Sequence, residues 1–216
     1  MNLRIFVLGL LGLSSTAQGR YCRFSPHFTL DMLMNDHYSR DEFISLYLQG
    51  EADFLELAGL DHDFAVSYDG HGLHVESGEL LPDGHQFSAA SKESLHWGLI
   101  LKIIEEDPRA KPFGTVNTTL KMLDTKMQTY EAFHARYPGF GWFLPWYAIV
   151  NGTVAPSWDW HNRVPSLDNG QLFWGAFSVL YRLKESYPDA PFNLTARIQV
   201  MIDEMIKYAP VIFYEG

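Results

Sequence analysis

Apolar residues recur in steps of three and four along five segments, several of them closed by glycine or proline, so the chain has to bury helical faces against one another. The first segment opens with Ser39 and Glu42 in a capping-box spacing and continues through Phe43, Leu46, Tyr47, Phe54, Leu55 and Ala58, with Gly59 near its stop. The second, about 88–106, carries Leu95, Leu99, Ile100, Ile103 and Ile104 and is halted by Asp107-Pro108. The third, about 118–137, repeats Leu120, Leu123, Met127, Tyr130, His134 and Tyr137 before Pro138-Gly139. A fourth starts near Ser166 or Asp168, with Asp168 as the expected N-cap and Gln171 as its box partner. A fifth follows Asn193 as its cap. Residues 61–87 are rich in Gly, Asp and His without a sustained period and read as an irregular stretch with room for a small hairpin. Helices joined alternately by short turns and long decorated loops predict stacked helical hairpins rather than a four-helix bundle. No βαβ alternation, Rossmann or P-loop glycine pattern, or long heptad run is present.

The 216 residues are 47% hydrophobic and 19% charged, the balance of one folded domain and not of a disordered or collagen-like chain. Sixteen Lys and Arg stand against 26 Asp and Glu, a net charge of −10, so nucleic acid and anionic membrane surfaces are not expected partners. Residues 1–19 hold Arg4, an apolar run from Ile5 to Leu13 and then small residues. That is the pattern of a secretory signal peptide, and the run is too short to span a bilayer. Export also fits the sequons at Asn117, Asn151 and Asn193, the expected glycosylation sites. The single cysteine, Cys22, is free, pairs with another subunit, or has its partner in a longer form of the protein. Val211-Ile212-Phe213-Tyr214 reads as the start of a buried strand or packing segment. With the lone cysteine it suggests that residues 20–216 are the N-terminal portion of a larger domain.

Aromatic residues make up 15% of the chain, and the run from Tyr137 to Tyr181 concentrates them beside polar groups. Trp142, Trp146, Trp158, Trp160, His161, Asp168, Asn169 and Gln171 share this passage. Indole faces stack on the C–H face of a pyranose while Asp, Asn, Gln, His or Arg meet its hydroxyls, so the run suits a saccharide. A single tryptophan is more often core. The alternation over 158–163, however, is hard to bury without stranding polar groups. Asp168 is either a helix cap or a carboxylate that holds a hydroxyl or takes part in proton transfer, and glycoside hydrolysis needs two such groups. Glu93 is either an exposed first-turn acid or a group reaching a groove at a helix mouth. His62, His71, His74 and His85 with nearby Asp residues raise a metal site, but their spacing fits no known box, and no cofactor is expected. A Ser-His-Asp hydrolase lacks its Gly-x-Ser-x-Gly elbow.

Four segments carry a family resemblance: 85–94 (HQFSAASKES), 139–146 (GFGWFLPW), 165–172 (PSLDNGQL) and 212–216 (IFYEG). They resemble fungal secreted endo-β-1,2-glucanases and, more loosely, the glucoamylase-like (α/α)6-barrel hydrolases. The resemblance implies an all-α fold, helical hairpins forming part of an (α/α)6 barrel, with a small irregular or β-hairpin insertion. It also implies inverting hydrolysis of a β-glucan without a metal. Such a barrel has twelve helices against the five read here, so the chain resembles the first half. By position Asp168 matches an acidic residue lining the family's cleft. Trp142, Trp160, His161, Asn169, Gln171 and Glu93 are the expected substrate-binding residues. The expected partner is an oligo- or polysaccharide, and the alternative is a half-barrel that binds glycan without cleaving it.

Overall fold

The structure is a computed structural model that describes residues 27–84 and 86–214. The expected signal peptide, Cys22, His85 and Glu215-Gly216 lie outside the described residues. Two compact units divide between Tyr47 and Leu48. The described part of the first holds α1 (Leu30–Asn35) and the opening turns of α2 (His37–Phe54). Thr29 caps α1 by accepting from the Met32 amide at 3.2 Å. Asp36, not Ser39, opens α2: its carboxylate accepts from Tyr38 N at 3.1 Å and from Ser39 Oγ at 2.6 Å. Ser39 instead lies buried inside the helix, because Asp36 offers the first amides a stronger acceptor one turn earlier.

In the second unit α2 ends in a π-helical turn, Leu55–Gly59. The glycine-rich stretch that follows forms two antiparallel hairpins, β1 (Leu60–Asp61) with β2 (Val66–Ser67), and β3 (His71–Leu73) with β4 (Leu80–Gly84). Then come β5 (Phe87–Ser88) and α3 (Ala90–Ile104), α4 (Val116–Arg136), β6 (Tyr147–Val150), β7 (Thr153–Pro156), α5 (Ser166–Ser186) and α6 (Leu194–Phe213). Strands β5, β6 and β7 make one antiparallel sheet in that order. Among the described residues, no helix is long and apolar enough to cross a membrane.

The core forms where the helical stripes meet: Trp97 and Ile100 of α3, Leu123 and Met127 of α4, Leu172 and Val179 of α5, and Ile198 and Met201 of α6 are all buried. Helix α3 packs chiefly against α5. A Cβ at Gly175 would stand 2.9 Å from Trp97 Cβ and 3.3 Å from the Ser94 carbonyl, so the missing side chain lets the two helices approach this closely. Arg197 ties α6 to α4 through Glu131 at 2.6 Å and Asp124 at 2.5 Å. The expected helical hairpins with a small β insertion are therefore what the chain forms.

Local readings differ in four places. The cap of α5 is Pro165 rather than Asp168, which lies inside the first turn. Asn193 makes no side-chain cap bond and sits in the left-handed region at φ 53°. The segment 211–213 is the last turn of α6 and not a strand; Val211 is 75% exposed, but Ile212 packs against the core and Phe213 against Phe143, as a packing segment would. The aromatic loop contains the β6–β7 hairpin. Its turn is Asn151-Gly152, both at positive φ (51° and 67°), the pairing that two-residue hairpins favour. Asn-Gly between apolar runs is a hairpin signal as well as the start of a sequon.

Candidate functional site

Glu93 lies in the first turn of α3 and is completely buried, which corrects both sequence expectations for it: an exposed acid, or one facing an open groove. One oxygen, Oε1, accepts from Ser67 N and Ser67 Oγ, each at 2.7 Å, and from Tyr147 Oη at 3.0 Å. The other, Oε2, accepts from Lys126 Nζ and Tyr130 Oη in two short bonds. Trp97 Nε1, one turn along α3, donates to Tyr130 Oη at 3.3 Å. Burial alone would raise the Glu93 carboxyl, but the equally buried Lys126 ammonium outweighs it and holds the group at about 2. Burial pulls Lys126 below its ordinary value, and the Glu93 charge and hydrogen bond oppose the fall. Burial and the Glu93 charge push both tyrosine hydroxyls well up, which keeps them as donors. The available signal was a lysine inside an apolar stripe. Lys126 sits between Leu123, Met127 and Tyr130, where only a buried partner makes a charge tolerable.

This network fixes the strand that carries the aromatic groups. Ser88 and Tyr147 face each other in the β5–β6 register, and both are buried. Their chain neighbours Phe87 and Trp146 take the other side, as strand alternation requires. There Trp146 and Trp160 stack with centroids 4.6 Å apart and planes at 25°. Phe87 lies 4.8 Å from Trp158 and 5.4 Å from Trp146. Trp158 is 64% exposed on left-handed backbone at φ 47°, an uncommon conformation for a bulky residue, and it holds a large apolar face out to solvent. The loop is closed by Ser157 N donating to the Trp146 carbonyl (2.9 Å), Trp160 N donating to the Ser157 carbonyl (3.0 Å), and an Asp159–Arg163 ion pair at 2.7 Å. His161 is exposed beside these rings in sequence.

Helix α5 starts against the same segment. Asn169, expected to bind substrate, is instead fully buried and spent on backbone: its Oδ1 accepts from Leu144 N at 2.8 Å, and its Nδ2 donates to the carbonyls of Leu144 (2.8 Å) and Pro165 (2.9 Å). No polar atom of this amide is left for a ligand. Asp168, the preceding residue, is half-buried, and Gln171 is exposed. Trp142 is half-buried with φ 67° and stacks on His134 at 4.8 Å. His134 is buried with neither ring nitrogen partnered, and burial lowers its pKa to about 3. The structure thus gathers Trp160 and Trp146 with Phe87 and Trp158, and anchors Asp168 next to Asn169, whose partner Leu144 is two residues from Trp146. Trp146 and Trp158 belong to the run expected to suit a saccharide, whereas Phe87 does not, because only the β5–β6 pairing brings residue 87 to the tryptophans.

The sequon residues Asn117, Asn151 and Asn193 are all exposed. The loop histidines serve local backbone. His62 Nε2 bonds the Glu56 carbonyl at 2.8 Å, His71 Nε2 bonds the Leu81 carbonyl at 2.7 Å, and His74 Nδ1 accepts from Ser77 N at 3.3 Å. Among the described residues, no group of three His, Cys, Asp or Glu is placed to hold a metal ion.

Paired helices carrying a short sheet are the architecture of part of an (α/α) barrel. The sequence model of the family described as endo-beta-1,2-glucanase SGL matches residues 66–216, and the chain belongs to that family. Two solved structures resemble it: endo-beta-1,2-glucanase from Talaromyces funiculosus in complex with sophorose, and the E262Q mutant of the same enzyme with beta-1,2-glucan. Each is 33% identical, with TM-scores of 0.82 and 0.81. The match covers 90% of this chain and 40% of theirs, so the chain spans less than half the length of those structures. No curated protein matches it significantly.

Proposed function

We propose that the chain is part of a secreted, glycosylated hydrolase of β-1,2-linked glucan that acts with inversion. The family membership supports the reaction, and the observation that carries the binding half is the wall of stacked Trp146 and Trp160 beside exposed Trp158. A glucose unit lies with its C–H face on this wall, where burying apolar sugar surface and excluding water favour binding. His161 and Gln171, exposed on the same passage, meet hydroxyls, and half-buried Trp142 offers a further indole to the sugar. Asp168 holds a hydroxyl or assists proton transfer. Residues 1–19 direct export, and sugar chains attach at Asn117, Asn151 and Asn193.

A second reading, binding without cleavage, draws support from Glu93. Hydrolysis with inversion needs an acid and a base on opposite sides of the bond, and Glu93 is enclosed by its own donors. Linear β-1,2-glucan separates the two readings. New reducing ends of inverted anomeric configuration, seen by proton NMR, support the hydrolase. Retarded migration in a glucan-containing gel without new ends supports the binder. Retardation abolished by Trp160→Ala is expected in either case, and glucan that neither binds nor is cut would sink both.

A further inference from the structure

Helix α3 has a second open face far from the aromatic wall. Its middle and last turns border a cavity of about 430 Å³. At 1.5 Å per residue, Ile103 lies about 20 Å along the axis from the first turn that meets the sheet. Leu55, Leu60, Leu99, Ile103, Phe113 and Met122 give this cavity apolar walls. Asp53 and Glu56 also line it, and no Lys or Arg does. Leu55 and Glu56 belong to the π-helical turn, a distortion that recurs at functional positions in helices.

His96 marks the cavity as a site rather than a packing gap. It lines the cavity, is only 6% exposed, and its Nδ1 is buried with no hydrogen-bond partner. Burial, reinforced by the nearby Lys126 charge, lowers its pKa to about 3, so the ring is neutral and has one donor and one acceptor nitrogen. An unpartnered buried ring nitrogen is unfavourable, and a ligand atom of matching polarity relieves it.

The chemistry of the lining selects the occupant. Aliphatic and phenyl walls favour an apolar body over a polyhydroxylated one. Two carboxylates without a lining cation favour a positive head group and repel a carboxylate or phosphate. His62 Nε2 bonds the Glu56 carbonyl at 2.8 Å and stands 3.9 Å from its carboxylate, and Gln49 Nε2 donates to one oxygen of Asp53 at 2.9 Å, which leaves the other Asp53 oxygen for an ammonium group. We propose that this cavity binds a small organic amine, its apolar body against Leu99, Ile103 and Phe113, its ammonium group at Asp53 and Glu56, and one polar atom on the His96 ring. The site is independent of the glucan reading, since no residue of the aromatic wall lines it.

Phenethylamine is the probe, with 3-phenylpropanoate as the same body of opposite charge and glucose as the hydroxylated competitor. Titration calorimetry on the full chain is expected to show one amine per chain. The His96 imidazole nitrogen resonances should shift in step with saturation. The carboxylate should bind about tenfold or more weakly. Leu99→Trp, which fills the cavity, should abolish binding. Asp53→Asn with Glu56→Gln, both surface changes that leave the fold intact, should weaken it several-fold even if the tryptophan variant does not fold. Absence of saturable amine binding, equal binding of the carboxylate, saturation by glucose instead, unmoved His96 resonances, or undiminished binding in the Asp53/Glu56 variant would each overturn the proposal. The Asp53/Glu56 variant should leave glucan retardation or cleavage as in the unchanged chain, since neither residue belongs to the aromatic wall.

Discussion

Lys126 and Glu93 show what one buried charge demands of its neighbours. Removing Lys126 leaves a carboxylate enclosed by tyrosines and serine with no cation, so Lys126→Met should destabilise the fold by about 3–5 kcal/mol in urea unfolding. The double change with Glu93→Gln should cost clearly less than that single change, because the stranded charge is gone. A double variant as unstable as Lys126→Met would show that shape rather than charge dominates there. Asn169 makes the same point without charge. Asn169→Ala would leave the Leu144 amide and carbonyl buried and unpaired, at a cost of about 2–4 kcal/mol by thermal or urea unfolding. Asn169→Asp should be no better, since an acceptor-only group would face two carbonyls.

Among elements, the β6–β7 hairpin is set by its turn and the α3–α5 contact by one absent side chain. Gly152→Val forces a β-branched residue to φ 67° and should lower the melting temperature, a loss of about 1–2 kcal/mol. Asn151→Gly keeps the turn but removes a sequon. Mass spectrometry of the exported protein should then show one glycan fewer at near-wild-type stability. Gly175→Ala drives a methyl to 2.9 Å from Trp97 Cβ and should cost about 1–3 kcal/mol by overpacking. An unchanged melting curve would mean that α5 shifts freely on α3, against the close packing seen here.

For the molecule as a whole, the buried titratable groups set an acid limit. His96 and His134 both fall from 6.5 to about 3 on folding, chiefly through burial. A base with a depressed folded pKa contributes stability above its unfolded value and loses it as pH drops toward the folded one. Stability should therefore decline from pH 6.5 toward 3, by on the order of 1 kcal/mol per pH unit for each histidine. Glu93, lowered from 4.5 to about 2, adds a loss that begins near 4.5 and is complete below 2. Replacing His134 with Leu should flatten the upper part of the urea-midpoint profile between pH 6.5 and 3, and an unaltered slope would refute its share. The sequence by itself determined the helices of the second unit, their proline and glycine stops and the concentration of aromatics, because periodicity and punctuation act over a few residues. Caps were less legible: Asp36 offers an acceptor as good as Ser39 one turn earlier, and α5 begins after Pro165 with no side-chain cap bond at all. Only the tertiary structure decided that Glu93 and Asn169 are interior and that Phe87 joins Trp146 and Trp158. Glu93 meets partners 26 to 54 residues away, and Asn169 meets Leu144 at a distance of 25. Burial and pairing at such separations depend on which helical faces meet, and no local pattern encodes that.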